Sequence, residues 1–271
     1  MPELPEVETT VRGLARFLDG ETIVRARVNR PDMRKPFPPD LVQMLTGARV
    51  TGLGRRAKYG LIHTDRAQTL IFHLGMSGRW RIDPEEDDKH DHFVIETEGH
   101  RFALCDPRRF GWVDLVGSEG IETWPGFATM GPEPLGDALT PDYLKAALKG
   151  RKQAIKLMLL DQSVVAGLGN IYVCEALWRA GIDPRKPAGK VSRPALERLV
   201  PAIKEVLAQS IEDGGSSLRD YARPDGELGY FATRFDVYGR EGEVCHRDDD
   251  GAIRRIVQGG RSTWFCPRCQ K

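Results

Sequence analysis

Val7, Val11, Leu14 and Leu18 recur on one helical face, so the opening stretch predicts an amphipathic helix that starts near Pro2-Glu3. Apolar and polar positions then alternate over residues 23–28 and through much of 49–64. Residues 69–74, 79–82, 92–97, 101–105 and 111–116 form further short runs separated by turn residues, the spacing of an antiparallel sandwich or barrel. Residues 124–139 are rich in Pro and Gly and predict a linker. From Thr140 the period changes, and helices are predicted over 141–149, 152–160, 171–180 and 193–213. Gly214-Gly215-Ser216-Ser217 opens a polar loop that runs to about Gly229, ahead of a closing hairpin. The order is β first, α second, and a small hairpin last.

A chain of 271 residues allows about two domains with real cores. The net charge of +1 gives no global hint of a nucleic-acid partner, but its distribution does. Arg55-Arg56-Ala57-Lys58, Arg108-Arg109, Arg151-Lys152, Lys156 and Arg254-Arg255 are basic clusters, while acid collects in Glu85-Glu86-Asp87-Asp88 and Asp248 to Asp250. Segregated charge under a neutral total suits one basic cleft on an ordinary surface. Neither a signal peptide nor a spanning apolar run is seen, which predicts a soluble cytoplasmic protein without disulfides. Cys105 and Cys174 sit in apolar runs and are expected to be buried thiols.

The two ends carry the candidate chemistry. Trimming of Met1 before a small residue is expected, and it would make Pro2 a free secondary amine. Such an amine can attack a carbonyl or a sugar C1′ and form an iminium directly, and an α-amine is far less basic than lysine. Glu3 and Glu6 follow as candidate acid or base groups. The alternative is structural, since Pro and acidic residues also favour a helix N-terminus. At the other end, Cys266-Pro267-Arg268-Cys269 with Cys245 upstream has the spacing of a tetrahedral zinc site across a hairpin. The fourth ligand is left open between His246 and one of the three aspartates that follow. Gly167-Leu168-Gly169-Asn170 enters a helix behind Lys156, and its glycines would let backbone N–H groups approach a phosphate closely.

Six ordered blocks resemble those of bacterial formamidopyrimidine-DNA glycosylases along essentially the whole chain. They are Pro2-Glu3-Leu4-Pro5-Glu6-Val7-Glu8-Thr9, Arg55-Arg56-Ala57-Lys58-Tyr59, His73-Leu74-Gly75-Met76-Ser77-Gly78, Asp106-Pro107-Arg108-Arg109-Phe110-Gly111, Gly167-Leu168-Gly169-Asn170-Ile171-Tyr172 and Cys266-Pro267-Arg268-Cys269-Gln270-Lys271. The resemblance implies an α+β fold. An N-terminal helix plus antiparallel β-sandwich would form the catalytic domain over 1–130. A helical helix-two-turn-helix DNA-binding domain over 131–228 and a C-terminal β-hairpin zinc ribbon over 229–271 would follow. The implied protein is a monomeric base-excision-repair enzyme, associated with the nucleoid when bound to DNA. Its partner would be damaged double-stranded DNA rather than a membrane, and its one cofactor a structural Zn2+.

The implied activity is that of a bifunctional glycosylase and AP lyase that flips out oxidised purines such as 8-oxoguanine and formamidopyrimidines. Pro2 would attack C1′ and expel the base, with Glu3 as general acid and base and Glu6 orienting Pro2 or its water. The iminium would acidify C2′, so that the 3′-phosphate and then the 5′-phosphate are eliminated. Lys58 would act beside these groups and on phosphate, with His73, Asn170 and Arg261 as further phosphate contacts and Tyr238 and Lys156 in support. Met76 would fill the vacated stack, Phe110 enter the opposite step, and Arg108 pair with the orphaned base, normally cytosine. The loop from Gly215 to Tyr230 would cap the flipped purine.

One departure stands out. The family's ribbon carries four cysteines with sixteen residues between the second and the third, and with Cys266 as the third this chain has Asp249 at the second. A carboxylate is a permitted ligand that should loosen the site, and His246 is the rival. A sister glycosylase for oxidised pyrimidines and a non-catalytic damaged-DNA binder are the alternatives. The complete Met76, Arg108, Phe110 set and the long capping loop disfavour the first, and retention of Pro2 and Glu3 disfavours the second.

Overall fold

The computed structural model describes residues 2–216, 231–247 and 251–271. These fall into two compact units, Met1–Ala128 with the described part of Asp213–Ala232, and Thr129–Glu212 with Thr233–Lys271.

The first unit opens with α1 (Leu4–Leu18), which buries Val7, Val11, Leu14 and Leu18 as the spacing requires. Eight strands follow: β1 (Arg25–Val28), β2 (Val50–Arg56), β3 (Tyr59–Thr64), β4 (Gln68–His73), β5 (Arg79–Ile82), β6 (Asp91–Glu96), β7 (Arg101–Cys105) and β8 (Trp112–Gly117). They form two antiparallel four-stranded sheets, ordered β1-β6-β7-β5 and β2-β3-β4-β8. One core joins them: Ile62, Leu70 and Phe72 from the second sheet pack with Phe93, Ile95, Phe102 and Leu104 from the first and with the apolar face of α1. Among the described residues the β region is therefore a sandwich of two open sheets.

Two details differ from the pattern. The run 49–64 is a hairpin in which Arg56 pairs with Tyr59, and Ala57 takes a left-handed φ of 53° at the turn. Alternation alone does not reveal a two-residue turn that lacks Gly, Asn or Asp. A short helix, α2 (Leu41–Leu45), lies where no element was expected, because it buries only Leu41 and Leu45.

The sheet order dictates where the loops go. β4 pairs with β8, and β5 pairs with β7. The β4–β5 connection crosses from the second sheet to the first and the β7–β8 connection crosses back, both joining the β4/β8 pair to the β5/β7 pair. They must run side by side.

The second unit holds α3 (Pro141–Ala147), α4 (Ile155–Leu160), α5 (Asn170–Ala180), α6 (Arg193–Glu212) and a hairpin of β9 (Arg254–Gln258) and β10 (Arg261–Phe265). The first two helices are shorter than their periodicity suggests. Gly150 turns left-handed at φ 72°, and Ala154 bridges to Pro187 before α4 begins. The hairpin closes through Gly259 and Gly260, both at positive φ, as a tight two-residue turn requires. Under it lies a small core of Cys174, Trp178, Val237, Cys245, Ile253 and Cys266. Among the described residues no helix is long and apolar enough to cross a membrane.

Candidate active site and nucleic-acid contacts

The first turn of α1 places the N-terminal groups. Glu3 is the N-cap and makes a reciprocal capping box with Glu6: the Glu3 carboxylate accepts from the Glu6 N–H, and the Glu6 carboxylate accepts from the Glu3 N–H at 2.9 Å. Glu6 also accepts from the Ser216 N–H and Oγ–H, both at 2.8 Å. The structural and chemical readings of these acids thus coexist. Glu6 holds the peptide that follows Pro2 and ties it to the start of the polar loop. Pro2 is buried, and Glu3 is 2 % exposed. The rest of the capping loop, 217–230, lies outside the described residues.

Lys58 sits at the β2–β3 turn and is nearly buried. Arg55 secures that turn, donating from Nη1 to the Ala57 carbonyl at 2.9 Å and from Nε to Glu8 Oε2 at 2.8 Å. Burial raises the Glu8 pKa, but the bonds from Arg55 and Arg12 outweigh it and leave Glu8 below its ordinary value. The α1–β2 ion pair therefore fixes a lysine that sequence spacing could only place in a basic cluster.

His73 ends β4. Burial, reinforced by the positive charges of Lys58, Arg34 and Lys35, lowers its pKa to about 4. Its Nδ1 accepts from the Gly75 N–H at 3.1 Å, which leaves the proton on Nε2. The ring stacks against Trp112 with centroids 5.9 Å apart. At neutral pH His73 is a neutral, oriented donor.

Met76 is half-buried on the β4–β5 loop. Arg108 and Phe110 are exposed on the β7–β8 loop, where the guanidinium lies 4.8 Å from the Phe110 ring centroid and Phe110 is 41 % exposed. A large aromatic ring left in solvent beside an arginine suits insertion between bases.

In the second unit, Asn170 opens α5 and donates from Nδ2 to the Ser262 carbonyl at 2.9 Å, which ties the helix N-terminus to β10 beside Arg261. Arg261 is exposed at the hairpin tip, next to the Gly259-Gly260 turn. Tyr238 packs 4.3 Å from Trp264, centroid to centroid. Lys156, expected in a supporting role, is fully buried on α4.

Sequence reading did not single out Glu175. This fully buried carboxylate on α5 accepts from three successive backbone N–H groups, Asp236 at 2.9 Å, Val237 at 3.0 Å and Tyr238 at 2.8 Å. Burial raises its pKa against the pull of those donors. It anchors the segment that carries Tyr238. The only signal was one acid inside the apolar run from Ile171 to Ala180.

The sulfurs of Cys245, Cys266 and Cys269 all lie within 4.8 Å of one another, with Cys245 and Cys269 3.8 Å apart. Zinc–sulfur bonds of about 2.3 Å at tetrahedral angles require sulfurs about 3.8 Å apart, so the cluster has the size of a zinc site. Burial, then the adjoining Cys266 and Cys245 sulfurs, push the Cys269 thiol up, so three thiolates here call for a cation. Trp178 Nε1–H donates to Cys245 Sγ at 3.3 Å, an outer contact of the kind that orients a ligand. The rival ligand His246 turns away and bonds Asp236 Oδ1 through Nδ1 at 3.0 Å. Asp249 lies outside the described residues. Cys105 and Cys174 are buried thiols outside this ligand set, Cys174 packing in the small core beneath it, and burial pushes Cys105 up to about 11.

Three family models match in order. The formamidopyrimidine-DNA glycosylase N-terminal domain covers residues 1–113, the formamidopyrimidine-DNA glycosylase H2TH domain covers 130–222, and the zinc finger found in FPG and IleRS covers 250–271. A formamidopyrimidine-DNA glycosylase of Erythrobacter litoralis is 76% identical over 100% of both chains. One from Novosphingobium aromaticivorans is 68% identical, again over 100% of both. Among solved structures, the Lactococcus lactis Fpg in complex with abasic-site DNA superposes with a TM-score of 0.91 at 34% identity, covering 100% of each chain.

Proposed function

The chain belongs to the formamidopyrimidine-DNA glycosylase family, and from that membership we propose how its own residues divide the work. It is a base-excision-repair DNA glycosylase with AP lyase activity that removes oxidised purines from damaged double-stranded DNA. The observation that carries the reading is full-length identity to such enzymes, with the Pro2-Glu3 start retained in a buried, capped helix turn.

With Met1 removed, the Pro2 nitrogen attacks C1′ of the flipped nucleotide. The C1′–N9 bond breaks, the base leaves with a proton, and the sugar ring opens to an iminium on Pro2. Glu3 serves as acid and base around the sugar. Loss of a C2′ proton expels the 3′-phosphate, a second elimination expels the 5′-phosphate, and hydrolysis of the imine frees Pro2. Glu6 orients the N-terminal peptide through the Glu3 N–H. Lys58, held by Arg55 and close enough to lower the His73 pKa, supplies positive charge for phosphate, and His73 donates neutrally through Nε2.

Asn170 has one amide hydrogen on Ser262 and offers the other to phosphate, with Arg261 beside it. Tyr238 and the buried Lys156 support this second set. Met76, Arg108 and Phe110 fill the space left by the flipped base and read the base opposite it. A structural zinc ion belongs to Cys245, Cys266 and Cys269, and when bound it cross-links the hairpin base. Asp249 supplies the fourth ligand, because His246 is engaged by Asp236.

The functional division follows 1–130 for chemistry, 131–228 for the helix-two-turn-helix contacts and 229–271 for the ribbon. The protein acts as a monomer in the cytoplasm, on the nucleoid, where a reducing milieu keeps the three thiols available. The test is borohydride trapping on duplexes carrying 8-oxoguanine opposite cytosine or an oxidised pyrimidine. A covalent adduct on the N-terminal peptide with the purine lesion is expected. A preference for the pyrimidine duplex, or an adduct on a lysine peptide, would overturn it.

A further inference from the structure

Asp106 is fully buried at the end of β7, beside a strongly polar loop, and the catalytic scheme makes no use of it. Its carboxylate spans two loops. Oδ1 accepts from Ser77 Oγ–H at 2.6 Å, on the β4–β5 loop, and from the Arg108 N–H at 3.3 Å, on its own. Oδ2 accepts from the Gly111 N–H at 2.7 Å, where the loop rejoins β8. The Arg108 N–H is also 3.3 Å from Ser77 Oγ, so Ser77 and Asp106 share that donor. Its own peptide is held in turn: the Asp106 N–H donates to the His90 carbonyl at 3.0 Å, and His92 Nε2–H donates to the Asp106 carbonyl at 2.9 Å.

The β7–β8 loop carries backbone strain that these bonds must hold. Arg109 is held in the left-handed region at φ 56°, a conformation that a residue with a Cβ disfavours. The neighbouring loop comes so close that a Cβ on Gly75 would lie 2.3 Å from the Phe110 carbonyl carbon. Gly75 itself is left-handed at φ 64°. The backbone beside Met76 is thus in direct contact with the backbone of Phe110, and one carboxylate bonds donors from both loops.

We propose that Asp106 is the positioning residue of the base-reading wedge. Its carboxylate locks the Met76 loop to the Arg108–Phe110 loop, so that the three side chains enter the duplex as one preset unit. This rests on the wedge role given above to Met76, Arg108 and Phe110. Discrimination of the opposite base then depends on a residue that does not itself touch DNA. An arginine can select one base only if its backbone is held while the stack is open, and a loop with a left-handed arginine would otherwise relax.

Asp106→Asn keeps the size and shape but offers one acceptor oxygen and an NH2 group. That NH2 must face either the Ser77 hydroxyl or the Gly111 N–H, and in the second case donor meets donor. Ser77→Ala removes the link between the loops while leaving the carboxylate and the Gly111 bond intact.

The experiment compares wild type, Asp106→Asn and Ser77→Ala. It measures single-turnover excision of 8-oxoguanine opposite cytosine and opposite adenine, and borohydride trapping on a single-stranded oligonucleotide with a preformed abasic site. No opposite strand exists in the trapping substrate, so wedge geometry is irrelevant to it. The expected result is an Asp106→Asn cytosine-over-adenine ratio collapsed by about tenfold or more, with single-strand trapping within about twofold of wild type. Ser77→Ala should shift the ratio the same way by a smaller factor. A wild-type ratio in Asp106→Asn overturns the proposal, and so does an equal loss on duplex and single strand, which marks a general folding role. If Asp106→Asn is too unstable to assay, an unchanged ratio in Ser77→Ala overturns it. Failure of the wild type itself to trap on either substrate would instead bring down the glycosylase mechanism, and this inference with it.

Discussion

Glu3, Glu6 and Lys58 are almost wholly inside the N-terminal unit, backed by the apolar face of α1 and by both sheets. The β9–β10 hairpin is built the other way. Arg254, Arg255 and Arg261 face solvent, Val257 is 66 % exposed, and the core beneath consists largely of cysteines and one tryptophan. The groups proposed to hold the reacting carbon are carried by a capped helix and a hairpin turn pinned by an ion pair. The ribbon groups proposed to meet phosphate are carried by two strands, which are marginal alone and need a staple. The difference teaches that the first site should survive perturbation of the ribbon, and that the second should fail when its thiols lose their cation.

The sharpest break in that comparison is chemical. Glu3→Gln keeps an acceptor for the capping box, so the melting temperature should stay near wild type while excision falls by about 10²–10⁴-fold. Excision kinetics beside a thermal melt check this, and a near wild-type rate would remove Glu3 as the acid. Pro2→Gly leaves a primary amine in place of the secondary one, and weaker trapping than wild type is expected with DNA binding preserved.

Next in size is removal of the metal. Chelation should weaken DNA binding by roughly one to two orders of magnitude while the N-terminal unit keeps its melting transition. Asp249→Cys should raise the chelator concentration needed, Asp249→Ala should lower it, and His246→Ala should change it little, because its ring is committed to Asp236. Metal analysis with a chelator titration of the three variants decides the order.

A smaller effect separates charged from neutral contacts. Lys58→Ala and Arg261→Ala should each reduce the slope of log affinity against log salt by about one unit. His73→Gln and Asn170→Ala should weaken binding without changing the slope, since His73 is neutral near pH 7. A slope change in His73→Gln would mean that the histidine is protonated on the DNA.

The smallest effect concerns stability. Folding lowers the His73 pKa from 6.5 to about 4, so the unfolded chain binds the extra proton first. Stability contributed by neutral His73 is full above about pH 6.5 and is lost as pH falls from there toward 4. Between pH 7 and 5.5 this amounts to about 1 kcal/mol, and His73→Gln should flatten the pH dependence of denaturant melts by that much. His63 and His92 are also lowered by burial, so only the difference between wild type and variant is diagnostic.

What could be read from the linear chain was whatever depends on local order. The α1 face followed from a 3.6-residue period, most strands from alternation and turn residues, and the thiol cluster from cysteine spacing. The Pro2, Glu3, Asp106 and Gly-x-Gly-Asn blocks were legible because their residues are adjacent in sequence. Tertiary structure decided what depends on partners far along the chain. Glu6 reaches Ser216, Arg55 reaches Glu8, and Glu175 reaches the backbone of Asp236 to Tyr238. It also buried Lys156, which the sequence shows only as one of several basic positions. It made Asp106 the joint between two loops, because the sheet order sends both crossovers along one edge. Sequence spacing sets which side chains share a strand or a helix face, but a hydrogen bond across tens of residues exists only once two sheets have chosen their neighbours.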